Sequence, residues 1–292
     1  NEITQVPPAS VLTWHEGKTT IKKYWEPDFD TKVQISYEEA LEATKKLIEE
    51  SVSRRLISER PLGSFLSGGY DSTIVTACMA KLMSKKVQTY SIGFDSAQFN
   101  EADHAKQVAN YLGTNHHEEI LSPDPALVVE KISQVLDQPF ADSSIVPTFL
   151  LAKFARENLI VALGGDGGDE SMGGYDRYRV APALQKLNPL IAAAKPLTQA
   201  IDRFGYGKLN RRGKRLLEAA KPYGSTRDRY LDLISLVHSS EVNALLHPRI
   251  SSQNIGQNPL QRSWDLLNIG DESERARVLD LQTYLPGDLL FK

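Results

Sequence analysis

Between Leu62 and Gly165, short apolar runs alternate with segments whose apolar residues recur at helical spacing. This alternation limits the possible fold more sharply than any other feature of the 292-residue chain. A run at Leu62 to Leu66, "VQTYSIGF" from Val87, a run around Glu118 to Leu121 and "LIVALGG" from Leu159 have strand length and turn signals at their ends. Helix patterns separate them, from about Asp71 to Ser84, Glu101 to Leu112, Pro125 to Leu136 and through "SSIVPTFLLAKFAREN". Parallel neighbours need a crossover, and a crossover helix must bury its apolar stripe on the sheet. The expectation is therefore an α/β fold, a parallel sheet with helices on both faces.

The flanks read differently. Ser36, with Glu39 three residues on, is a capping-box signal, and Ala40, Leu41, Ala43, Leu47, Ile48 and Val52 then follow at helical spacing. Before it, strand-like runs surround Pro7, Pro8 and Gly17, and Pro27 breaks the pattern. After Tyr178 strand patterns stop, so the core is expected to end near there and a helical part to follow. No internal repeat is visible.

Composition narrows the partners. A net charge of -3 gives no electrostatic reason to expect a nucleic-acid or membrane partner. Cys78 is the only cysteine, so an internal disulfide is excluded and a reducing, cytoplasmic location is expected. No apolar run reaches the roughly 18 residues of a membrane span.

In a parallel sheet, ligands sit beyond the carboxyl ends of the strands. "SFLSGGYDST" falls at such an end: Gly68 and Gly69 let successive N–H groups point at one anion, and the following helix adds its positive dipole end. Ser67 and Ser72 add hydroxyls. Asp71 beside a phosphate calls for a cation such as Mg²⁺ between them. The tripeptide Ser67-Gly68-Gly69 alone is equally compatible with a plain connecting turn. The "GKT" at Gly17 to Thr19 lacks the glycine five residues earlier that a Walker loop requires, and a dinucleotide fingerprint is absent from the 67–69 turn.

A second loop has the same design. "LIVALGGDGGDESMGGYDRY" follows an apolar run with Gly164, Gly165, Asp166, Gly167, Gly168, Asp169 and Glu170, then Gly173 and Gly174. Glycines and acids so concentrated suit the approach of backbone and carboxylates to a polyphosphate and its metal better than they suit a core.

"FLSGGYDST" resembles the pyrophosphate loop of the N-type ATP pyrophosphatases. Together with "ALGGDGGDESMGGYDRY", "YSIGFD", "NEADHAKQVANYLGTNHHE" and "LDQPFADSSIVPT", it resembles the synthetase domain of glutamine-dependent asparagine synthetases, over about Tyr24 to Lys292. The resemblance implies an adenine nucleotide alpha-hydrolase-like fold with ATP and Mg²⁺ as cofactors. Ser67, Gly68, Gly69, Asp71 and Ser72 would hold the β- and γ-phosphates. Phe65, Leu66 and Ile92 would lie around the adenosine, and Gly164 and Gly165 beside the nucleotide. Asp166 would be an active-site acid, with Asp71 and Asp169 as metal-bound acids that also serve catalysis. Asp142 to Ser144 fall in a stretch that lines the acceptor pocket in this family.

The implied reaction activates the aspartate side-chain carboxylate as an acyl-adenylate with release of pyrophosphate, and ammonia then gives asparagine and AMP. Alternatives are a relative amidating or cyclising another carboxylate, in a sugar, peptide or antibiotic precursor, and a domain that binds nucleotide without turnover. The implied partners are small molecules (aspartate, and ammonia or glutamine) and an upstream glutaminase domain, with residues 1–30 as that domain's tail and linker and residues 31–292 as the synthetase domain. A homodimeric assembly stays open. The resemblance also leads one to expect a fragment or a partly ordered protein, because relatives begin with a glutaminase domain and continue past the position of Lys292. Two departures stand out: most relatives have serine at Gly164, and a bulky apolar pair at Ser171-Met172.

Three other features carry no chemistry by themselves. His116-His117-Glu118 lacks a third metal ligand at suitable spacing, which leaves a structural or nucleotide-proximal role. Cys78 reads as a small apolar side chain, and the basic run from Lys208 to Lys221 as a solvated helix face.

Overall fold

The computed structural model describes residues 5–29, 31–94, 102–122, 125–193, 222–237 and 258–292. The basic run from Lys208 lies outside them. The chain divides into two units, one of Asn1–Thr31 with Asp169–Pro286 and one of Lys32–Gly168 with Gly287–Lys292.

The first unit opens with a hairpin of β1 (Ser10–His15) and β2 (Lys18–Lys23), antiparallel with His15 opposite Lys18. Its two turn residues, Glu16 and Gly17, both have positive φ, +49° and +76°. That is the backbone twist a two-residue hairpin loop needs, and a glycine at the second position meets it without a Cβ clash.

In the α/β unit, α1 (Tyr37–Arg55) starts where the capping box predicts. The Ser36 hydroxyl accepts from the Glu39 N–H at 3.2 Å, and Glu39 accepts from the Ser36 N–H at 2.8 Å. Next come β3 (Leu62–Phe65), α2 (Tyr70–Leu82), β4 (Gln88–Phe94), α3 (Ala102–Leu112), β5 (Asn115–Leu121), α4 (Pro125–Ser133), α5 (Ile145–Ala155) and β6 (Val161–Leu163). The four strands form one parallel sheet in the order β5-β4-β3-β6.

Alternate residues of β3 show why helices cover both faces. Leu62 packs with Val52, Met79 and Val87 below α1 and α2, and Ser64 bonds Thr76 of α2 at 2.9 Å. Gly63 and Phe65 turn the other way: a β-carbon on Gly63 would meet Leu159, and Phe65 packs with Tyr90, Leu151 and Ala155 of the α5 side. Both faces are apolar because both are covered.

β5 begins at Asn115, three residues before the run that the apolar pattern predicts. Its polar start is stabilised by side chains rather than by apolar burial. His116 lies 3.0 Å from the Thr89 hydroxyl and 3.3 Å from that of Ser91, while His117 stacks on Tyr90 with ring centroids 4.7 Å apart. Both nitrogens of His116 are thus engaged by hydroxyls. Burial, the largest influence, lowers its pKa.

The chain passes into the first unit inside α6 (Gly168–Met172), then forms α7 (Arg177–Lys186), α8 (Asn188–Ala193), α9 (Thr226–Ile234), α10 (Pro259–Leu266) and α11 (Glu272–Gln282). Their core gathers Tyr178, Ala181, Tyr230, Leu231, Trp264, Ala276 and Leu279. No strand follows β6 among the described residues.

Candidate active site

β3 has β4 on one side and β6 on the other, so strand order reverses there. The loops leaving β3 and β6 emerge side by side at a topological switch point, where open α/β sheets form a crevice.

The loop after β3 is ordered by its own hydroxyls. Ser72 Oγ accepts from the Ser67 N–H at 3.2 Å and lies 3.0 Å from Ser67 Oγ, which in turn accepts from the Gly69 N–H at 3.3 Å. Gly68 sits at φ +83°, and a β-carbon there would fall 2.7 Å from the Ala105 nitrogen of α3. Position 68 therefore excludes other residues twice, by backbone conformation and by space. Gly69 is the N-cap of α2 and supplies no side-chain cap bond to the helix.

The loop after β6 lies directly on that turn. A β-carbon on Gly165 would fall 2.7 Å from the Ser72 nitrogen and 2.8 Å from Asp71 Cβ, and one on Gly168 would fall 2.7 Å from both Asp71 carboxyl oxygens. Gly167 has φ +89°. Two loops 96 positions apart (164 − 68) thus press backbone on backbone around one carboxylate.

Most of the residues expected at the site converge here. Ser67, Gly68, Gly69, Gly164, Gly165 and Asp166 lie on the two facing loops, and Asp71 and Ser72 in the first turn of α2. Leu66 is buried against Ala105 and Ala109, so its side chain belongs to the core and its backbone borders the site. Phe65 packs in the α5 cluster and Ile92 is half-buried in β4. Asp169 belongs to the helical unit, in the first turn of α6. Among the described residues no group of three or more His, Cys, Asp or Glu side chains forms a metal-holding cluster.

This donor set fits a nucleotide with its Mg²⁺ better than a metal held by protein alone. Mg²⁺ is commonly bound by one or two carboxylates plus substrate phosphates and water. A glycine cradle that a β-carbon would fill, an uncapped helix start and one facing carboxylate are the parts such a complex uses.

A third element of the α/β unit is not legible in the local pattern. Lys292, its side chain 6% exposed, donates to Asp142 Oδ2 at 3.0 Å and to Ser144 Oγ, and lies 3.6 Å from Asp288 Oδ1. Burial would raise Asp142, but hydrogen bonds from the Ser144 backbone and from Lys292, Ser144 and Asp288 outweigh it and lower its pKa to about 2. Burial and the hydrogen bond shared with Asp142 raise Asp288 to about 6.

The helical unit carries its own charged centre. Asp280 is fully buried and accepts from Arg177 at 2.6 and 3.1 Å and from Tyr178 at 3.0 Å. Arg177 also lies 3.9 Å from the Tyr175 ring centroid. Glu170 is fully buried as well, and burial raises its pKa. "GGYDRYR" supplies the arginine and tyrosines, but nothing local points to an aspartate 103 residues later.

Fold and site together define an α/β protein with two glycine loops meeting at the switch point of a parallel sheet. The asparagine synthase family profile matches residues 43–292, and the chain belongs to that family. Asparagine synthetase [glutamine-hydrolyzing] 1 of Bacillus subtilis (strain 168) is 30% identical over 297 residues, covering 99% of this chain and 45% of the relative. Asparagine synthetase [glutamine-hydrolyzing] 3 of the same organism is 27% identical over 200 residues, 61% of this chain and 31% of the relative. The Bos taurus asparagine synthetase [glutamine-hydrolyzing] is 30% identical over 156 residues, 48% and 26%. The chain spans less than half the length of these relatives. No helix among the described residues is long and apolar enough to cross a membrane.

Proposed function

We propose that this chain is the synthetase part of an ATP-dependent, amide-forming ligase acting on the side-chain carboxylate of aspartate. The observation that carries the reading is the packing of Gly165 and Gly168 onto Asp71 and Ser72, which makes one cradle from two loops at the switch point. Family membership supports the same reading.

A carboxylate is a poor acyl donor, so an oxygen of the acceptor attacks the α-phosphorus of ATP and the bond to pyrophosphate breaks. Ammonia then attacks the acyl carbon, the bond to AMP breaks and the nitrogen loses a proton. The protein orients the reactants and stabilises charge. In this reading Ser67, Gly69 and the start of α2 hold the β- and γ-phosphates. Asp71 holds Mg²⁺, with Asp169 as the second acid that the family resemblance supplies. When bound, the ion neutralises charge on the departing pyrophosphate. Asp166 stands beside the nucleotide as the active-site acid. In the whole protein the ammonia comes from glutamine, cleaved by a glutaminase domain such as the names of the relatives imply.

The test is carboxylate-dependent exchange of labelled pyrophosphate into ATP, with Mg²⁺ and the full-length protein, comparing aspartate with other acids. Exchange with aspartate is the expected result. Exchange with a different acid alone would move the assignment to that acceptor, and exchange with none would end the ligase reading.

A further inference from the structure

We infer that Lys292 is a positioning residue for the acceptor side of the site, holding the turn at residues 140–144 by bonding Asp142 and Ser144 together. The inference rests on the ligase reading above and on the family resemblance, which sets Asp142 to Ser144 at the acceptor pocket.

The geometry assigns each atom a task. Asp142 Oδ1 accepts from the Ser144 N–H at 2.9 Å, which closes the turn on itself. Asp142 Oδ2 accepts from Lys292 at 3.0 Å, and the Ser144 hydroxyl accepts from the same ammonium. That hydroxyl makes no capping bond to α5, although Ser144 is its N-cap residue. Its orientation is therefore set by Lys292 and not by the helix.

A second tie runs beside the first. Phe140 stacks on Phe291 with ring centroids 5.5 Å apart and planes 24° apart, so Phe140, Asp142 and Ser144 of the turn meet Phe291 and Lys292. Asp288 lies one helical turn before Lys292, 3.6 Å from its ammonium. Asp142 and Ser144 accept two of the ammonium's N–H groups, and Asp288 adds an ion pair without a hydrogen bond. A lysine side chain buried in this way, with both of its hydrogen bonds made to the turn, acts through the turn it holds.

Steady-state kinetics of full-length Lys292→Met and Lys292→Arg test this, together with hydrogen exchange over residues 140–148. Lys292→Met removes the charge at similar length. We expect its KM for the acceptor acid to rise about tenfold or more while KM for ATP stays within about twofold. Exchange at 140–148 should quicken, and Lys292→Arg should recover much of the acceptor KM. If the wild type exchanges pyrophosphate but Lys292→Met leaves the acceptor KM unchanged, or raises both KM values alike, the positioning role is overturned and the ligase reading stands. Unaltered hydrogen exchange would likewise overturn it. Absence of pyrophosphate exchange in the wild type would overturn the ligase reading, and the acceptor role with it.

Discussion

Asp71 faces Gly168 so closely that a β-carbon at Gly168 would lie 2.7 Å from both carboxyl oxygens of Asp71. Glycine at 168 is thus a condition for that carboxylate to stand where it does. Gly168→Ala must push the Asp71 side chain aside, whereas Gly165→Ala meets the Ser72 backbone nitrogen at 2.7 Å and cannot be relieved by a rotamer. Gly165→Ala should cost about 1–3 kcal/mol of stability and abolish nucleotide binding. Gly168→Ala should fold with little loss yet weaken Mg²⁺-dependent nucleotide binding. Chemical denaturation paired with calorimetric titration of Mg-ATP separates the two, and equal stability losses would contradict the difference in what each β-carbon meets.

Gly164 is a position where the family resemblance leads one to expect serine. A β-carbon there would fall 2.8 Å from Asp166 Oδ2, the far end of a side chain free to turn. Gly164→Ser should therefore leave the melting temperature within a few degrees while moving Asp166. The expected readout is an altered rate of pyrophosphate exchange with little change in KM for ATP. A large fall in melting temperature would show that Asp166 is held more firmly than its neighbours imply.

The Asp142, Asp288 and Lys292 group predicts a pH dependence with opposite signs at its two acids. Asp288, raised to about 6, contributes stability that is full below its ordinary value near 3.8 and is lost as pH rises through about 6. Asp142, lowered to about 2, contributes stability present above 3.8 and lost as pH falls through about 2. Asp288→Asn should flatten the loss between about pH 4 and 6, and Asp142→Asn the loss between about pH 4 and 2. Denaturant midpoints across pH 2–8 for the three proteins would decide this, and parallel curves would refute it.

Glu170 is fully buried and its pKa is raised, first by burial. A raised folded-state pKa means that its contribution is complete below the ordinary carboxyl range and is lost as pH rises through the folded value. Glu170→Gln should remove that slope, so the variant loses less stability than the wild type on going from acid to neutral pH. Unfolding monitored at several pH values checks the direction.

Asp280 joins Arg177 and Tyr178 in the core of the helical unit. Removing one partner of a buried ion pair leaves the other charge uncompensated. Asp280→Asn should destabilise that unit by about 3 kcal/mol, read as an earlier denaturant transition. An unshifted transition would mean that water or other groups compensate Arg177.

Much of this protein was decided locally, and those parts were legible in the amino-acid order. Ser36 and Glu39 start α1 through bonds spanning three residues. Apolar alternation marks the strands, and Ser67-Gly68-Gly69 and Gly164 to Gly168 mark where the sheet turns outward, because glycine conformation and helix capping depend on near neighbours. The early start of β5 escaped the pattern because Asn115 and His116 are satisfied by side chains of β4.

Tertiary structure alone decided which distant groups meet. Lys292 reaches Asp142 across 150 positions, Arg177 reaches Asp280 across 103, and the opening hairpin groups with the helices after Asp169 rather than with the sheet. An isolated lysine or aspartate carries no periodicity and no turn chemistry. Its partner is chosen only when packing removes both from water and makes an unpaired charge too costly to keep.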